Sequence, residues 1–123
     1  MKQFLLIFIG GGTGSILRYA ISKLLNSPSK GIPYGTLVVN CLGSLLIGLL
    51  LGYSLKNQSL SSNQLAFLIV GFCGGFTTFS TFSYENTMFL KSGDFISFIG
   101  YTTASLILGI SFVLLGFWIV KFF

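Results

Sequence analysis

"GFCGGFTTFSTFSYE", residues Gly71–Glu85, sets phenylalanines at positions 76, 79 and 82 with two hydroxyl residues filling each gap. The apolar residues leading into it read as a membrane-spanning helix. Gly74 and Gly75, however, are each about 1 kcal/mol poorer helix formers than alanine, and the β-branched Thr77 and Thr78 follow at once. A break of the helix is therefore expected at the Gly-Gly element. Irregular backbone at membrane depth survives only where it is buried in protein or lines water, and carbonyls freed there can hold a cation. Beyond the break, each step of three residues falls about 60° short of a turn. Phe76, Phe79 and Phe82 are thus expected to fan across one face, with the hydroxyls of Thr77, Ser80 and Ser83 beside them. A ring is electropositive at its edge and a hydroxyl donates hydrogen bonds. Together they make a neutral lining that replaces part of an anion's hydration without trapping it. The plainer reading is an apolar helix face whose hydroxyls bond to carbonyls four residues back.

The rest of the chain sets this stretch in a membrane. Of 123 residues, 53% are hydrophobic and 7% charged, and the mean hydropathy is +0.90; an average soluble domain is about 25% charged. A spanning helix needs about 20 mostly apolar residues, and four runs meet that need, near 4–24, 33–53, 65–90 and 95–120. The fold class is all-α integral membrane, a single four-helix unit over 1–123 with short connections, which leaves no room for a water-soluble catalytic domain. Lys2 before an apolar run mimics a signal peptide. No A-x-A-like site follows and Arg18 interrupts the continuation, so the run reads as a retained helix. Cys41 and Cys73 sit among apolar neighbours, as small hydrophobes rather than disulfide partners.

The net charge of +5 would suggest nucleic acid in a soluble domain, but here the basic residues are scattered singly and no nucleic-acid partner is expected. Lys2, Lys56 and Lys121 fall on one side of the membrane and Lys23, Lys30 and Lys91 on the other, three against three. Positive residues normally collect in cytoplasmic loops, so a tie lets the chain insert both ways. The hypothesis is an antiparallel, dual-topology homodimer. Charged tags at one terminus should then bias insertion and abolish function unless an oppositely biased copy is supplied. Gly10 with Gly14, Ser44 with Gly48 and Gly52, and Gly71 with Gly75 are small-xxx-small pairs, suited to close contact within a subunit or between subunits.

Polar groups inside spans are costly, about 2.5–3.5 kcal/mol for a charge at a helix centre, and draw functional suspicion. Arg18 is either an interfacial anchor beside Tyr19 or a fixed positive charge that attracts anions to a mouth. The preceding "GGGTG" lacks the βαβ setting of a nucleotide loop. Thr36, Asn40, Ser44 and Gly48 recur every four residues and form a stripe that drifts about 40° per step. Asn40 either clamps two helices or turns its amide N–H toward a permeating anion. Glu85, the one acid inside a span, lies near the face of Phe82; it is protonated, paired with a lysine, or part of a vestibule. Asp94, after "KSG", reads as a helix start.

"GGGTGSILRY", "GTLVVNCLGSLLIG" and "GFCGGFTTFSTFSYE", in that order across the first three spans, resemble the Fluc/CrcB fluoride channels over roughly two-thirds of the chain. The resemblance implies a fluoride-selective channel in the cell membrane, surrounded by lipid, that passively exports fluoride from the cytoplasm and relieves its toxicity. It implies a dual-topology dimer with two antiparallel pores, edge-on rings from Phe79 and Phe82, and Asn40 along the pore. It also implies a structural sodium ion at the dimer centre, on main-chain carbonyls of Gly74 and Thr77 from both subunits. Thr36, Ser80, Thr81 and Ser105 complete the expected pore lining, with Arg18 and Glu85 as vestibule groups. Ser105 is chosen from Thr102, Thr103, Ser105 and Ser111 of the fourth span, where Gly109 and Val113 stand at places that are polar in relatives. A passive pore suffices, because an inside-negative potential favours anion exit by about 2.3 kcal/mol per charge per 100 mV. The rivals are a small proton-coupled multidrug exporter, which relies on an acid in the first span where this chain has only Arg18, and a non-transporting accessory subunit. With no histidine and no nucleophile beside a base, no enzyme is expected.

Overall fold

A computed structural model describes residues 1–29, 31–57 and 60–123. Lys30, one of the lysines in the charge count, lies outside the described residues. The elements are α1 (Lys2–Leu25), α2 (Tyr34–Asn57), α3 (Ser62–Leu65), a π-helical stretch Ala66–Cys73, α4 (Gly74–Phe76), α5 (Ser80–Ser92) and α6 (Phe95–Phe122). From α3 to α5 the chain runs as one interrupted span. Four segments are thus long and apolar enough to cross a membrane: Lys2–Leu25, Tyr34–Lys56, Ser62–Ser92 and Phe95–Phe122. The third opens on a capping box, with Ser61 and Gln64 each bonding the other's backbone N–H. It closes at Gly93, whose φ of +77° is the left-handed conformation glycine adopts without penalty. Asp94 then accepts a hydrogen bond from the Ser97 N–H at 3.1 Å and starts α6.

Lipid supplies no hydrophobic drive between helices, so contact depends on how closely backbones approach. Two glycine seams provide that approach. In the first, α1 lies against the π-helical stretch and α4. A Cβ on Gly14 would stand 2.8 Å from the Phe76 backbone nitrogen, and one on Gly75 would stand 2.9 Å from the Gly11 Cα. In the second, α2 lies along α6, and a Cβ on Gly116 would meet the Leu49 nitrogen at 2.6 Å. The pairs Gly10/Gly14, Gly48/Gly52 and Gly71/Gly75 are therefore used within the subunit.

The interruption of the third span is displaced from the glycines. Gly74 is helical (φ −62°, ψ −38°); the chain leaves the helix at Thr77 (φ −82°, ψ 160°) and resumes at Ser80. Gly75 serves close contact with Gly11, and the β-branched Thr77 takes the extended backbone that suits it. One consequence corrects the expected fan of three rings. Phe76 lies before the break, is 2% exposed, and stacks on Phe72 with ring centroids 5.7 Å apart. Phe79 and Phe82 remain as a pair.

Candidate functional site: the helix break and the cleft beside it

The break is held by one side chain of α2. Asn40 accepts a hydrogen bond from the Thr78 N–H at 2.8 Å and donates one to the Thr78 carbonyl at 3.0 Å. In a continuous helix the Thr78 N–H would bond the Gly74 carbonyl, and the Thr81 N–H the Thr77 carbonyl. Here the Thr81 N–H donates to the Thr78 hydroxyl oxygen at 3.2 Å instead. The carbonyls of Gly74 and Thr77 thereby lose their helical donors. Arg18 reaches the Thr77 carbonyl at 3.5 Å, and the Ser15 hydroxyl donates to the Gly75 carbonyl at 3.3 Å. The Thr77 hydroxyl bonds back to the Cys73 carbonyl at 2.9 Å, following the plainer reading of that group.

Beside the break, α2, α5 and α6 enclose a cavity of about 280 Å³ whose walls include Asn40, Ser44, Phe79, Phe82, Ser105 and Gly109. The Phe79 and Phe82 rings are 5.9 Å apart and tilted by 41°, and Phe82 lies 5.3 Å from the Tyr101 ring. Phe79 is 77% exposed, so one flank of the cleft is open to the surroundings of the subunit. The Ser105 hydroxyl oxygen is wholly buried beside the Tyr101 hydroxyl, to which it can donate.

The other candidate residues fall into two groups outside this cleft. Thr81 and Arg18 share a second cavity of about 250 Å³ with Ser15 and Ser22, while Ser80 is exposed, its hydroxyl 3.4 Å from that of Thr78. Thr36, fully buried, stands off the cleft and donates to one Glu85 oxygen at 2.5 Å; the Tyr101 hydroxyl donates to the other at 2.7 Å. The partners of Glu85 among the described residues are thus hydroxyls. Its carboxyl also borders a cavity of about 300 Å³ under the 26–33 connection, with Asn26 and Pro33. So Asn40, Phe79, Phe82 and Ser105 come together, Arg18 and Thr81 form a second group, and Thr36 and Glu85 a third.

Sequence reasoning missed Tyr101, Thr78 and Asn86. A buried tyrosine hydroxyl seeks a partner, and Tyr101 stands one helical turn before Ser105, a pairing that could have marked it. Asn86, 6% exposed, accepts from the Thr102 hydroxyl at 3.0 Å and so ties α5 to α6. No group of three or more His, Cys, Asp or Glu side chains gathers among the described residues.

Residues 5–117 match the family described as CrcB-like protein, Camphor Resistance (CrcB). A protein of Phocaeicola vulgatus named "Fluoride-specific ion channel FluC" is 47% identical over 120 residues, covering 96% of this chain and 98% of its own. Proteins of the same name from Gloeothece citriformis and Thermus thermophilus are 46% and 45% identical, covering 98% and 95% of this chain and 98% and 94% of their own. With its four apolar helices, two glycine seams and an interrupted third span, this chain is a multi-pass membrane protein that belongs to the CrcB-like family.

Proposed function

We propose that the chain is a fluoride-selective channel through which the ion leaves the cytoplasm passively, relieving its toxicity. The observation that carries the reading is the cleft that Asn40, Ser44 and Ser105 line together with the Phe79 and Phe82 rings. Relatives that align over nearly the whole chain bear the name of that activity. The activity is transport rather than chemical conversion. Ring edges of Phe79 and Phe82 attract an anion without charge. The second amide hydrogen of Asn40, whose first is spent on Thr78, donates to it, and a turn of the Ser105 side chain away from Tyr101 would add a hydroxyl donor. Arg18 raises the local anion concentration near Thr81, and Thr36, Tyr101 and Glu85 extend the polar path toward the 26–33 connection.

The reading extends to an antiparallel homodimer with two pores, in which a second copy covers the open flank at Phe79. The freed carbonyls of Gly74 and Thr77 fit a hard cation such as sodium, which takes oxygen donors from unwound helices. Two oxygens from each of two copies would surround it, and the ion would supply a fixed positive charge that draws the two breaks together. The Thr77 carbonyl has a second lone pair for Arg18.

The test is flux from liposomes loaded with fluoride, read by an electrode in the outer bath while an ionophore shunts potassium. Fast fluoride loss with little chloride loss is expected. Chloride loss at an equal rate, or export of a drug driven by a pH gradient, overturns the reading.

A further inference from the structure

Far from the break, the last turns of α2 and α6 enclose a cavity of about 380 Å³ lined by Gly52, Leu55, Lys56, Phe117, Val120 and Lys121. Gly52 keeps the notch open, since a Cβ there would lie 3.1 Å from a Phe117 ring carbon and 3.4 Å from the Val120 Cβ. The depth of this cavity in the bilayer is marked by its neighbours. Tyr53 and Trp118 are 46% and 59% exposed on the same turns, and amphipathic rings of this kind settle at headgroup level. The cavity is apolar on its membrane side and cationic at its rim.

Charge decides what fits. Lys56 Nζ sits 3.3 Å from the Val120 carbonyl and 3.5 Å from the Lys121 carbonyl, where it offsets the negative end of α6, while the Lys121 ammonium makes no hydrogen bond to the described residues. The chain's two acidic side chains, Glu85 and Asp94, belong to the other end. Asp94 precedes α6, whose 28 residues rise about 1.5 Å each. No acidic side chain therefore competes for the lysines at this rim.

We propose that this notch is a binding site for an anionic phospholipid, its phosphate held between Lys56 and Lys121 and the start of an acyl chain laid over Leu55, Phe117 and Val120. A zwitterionic lipid carries its own cation and gains little from the pair of lysines. Two juxtamembrane lysines favour an anionic headgroup by about thirtyfold.

The experiment is native mass spectrometry of the purified protein in detergent, titrated with phosphatidylglycerol or phosphatidylcholine of matched chains. Wild-type protein should retain phosphatidylglycerol in preference to phosphatidylcholine, and K56Q/K121Q should weaken its retention by about thirtyfold. The control K23Q/K91Q removes the same charge from the opposite end and should leave retention unchanged. Inorganic phosphate at millimolar concentration should fail to displace the lipid, because it lacks the chain. Equal retention of both lipids by the wild type, equal loss in the control, or displacement by phosphate alone overturns the proposal. Wild-type protein carries the lipid-preference and phosphate arms, so they stand even if a variant folds poorly.

Discussion

The two halves of the third span follow one another in the chain and are held by different means. Before the break, Ala66–Phe76 is apolar, seated on α1 through facing glycines, with Phe76 buried and stacked. After it, Ser80–Ser92 carries most of the polar side chains and bonds sideways to α2 and α6 through Glu85 and Asn86. The first half is fixed by backbone contact that admits no extra atom. The second is fixed by side-chain hydrogen bonds that leave a cleft. Backbone packing and side-chain hydrogen bonding thus divide one segment of 31 residues between them.

The largest effect is expected where the first half has no slack. Gly75→Leu forces a side chain against the Gly11 backbone, where the contacting atoms are main chain and cannot swing aside, so overpacking should cost at least the typical amount, about 1–3 kcal/mol. Loss of the monodisperse peak in size-exclusion chromatography, with loss of flux, is the expected outcome; a well-folded Leu variant would show that the seam is looser than the contact distances imply. Next is Asn40→Ala, which strips partners from both the N–H and the carbonyl of Thr78. At about 1–3 kcal/mol for each group left unbonded, the thermal midpoint in detergent should drop by several degrees and flux should fall with it.

A variant confined to the second half separates permeation from folding. Phe79→Ile and Phe82→Ile keep apolar bulk and remove the ring edge. Each should lower fluoride flux by about tenfold or more, the factor equivalent to 1.4 kcal/mol of anion stabilisation, with unchanged elution and thermal midpoint. Unchanged flux in both would remove the aromatic part of the mechanism. The smallest effect belongs to Asp94, outside the spans. Hydrogen bonds from the Ser97 side chain and backbone hold its carboxyl below the ordinary carboxylate range. A depressed folded pKa means the cap is fully present above the unfolded value of about 3.9 and is lost as pH falls through the folded one. Asp94→Asn should therefore flatten the acid limb of a stability profile and barely alter it at pH 7.

Much of this division was legible in the sequence, and the reasons for the rest are specific. Hydropathy alone gives four membrane-capable helices, and the Phe-hydroxyl rhythm points to the third. The break was expected at Gly74 and Gly75 because helix propensity treats glycine as weak. At Gly75 the absent side chain instead serves contact with the Gly11 backbone, and Gly74 stays helical. Asn40 was visible as a polar intrusion, but its amide is matched to one peptide group 38 residues away, a pairing that spacing along α2 cannot express. Tyr101 looked like any aromatic of the fourth span. Its importance comes from Glu85, which only the folded chain brings to it.

The amide of Asn40 offers Thr78 the same donor and acceptor that a neighbouring peptide would. To heal the interruption into an unbroken rod, Thr78 would exchange both bonds for helical ones and leave the Asn40 amide without either partner. The gap in the third span is accordingly keyed to α2 at Thr78, the residue next to Phe79 in the chain.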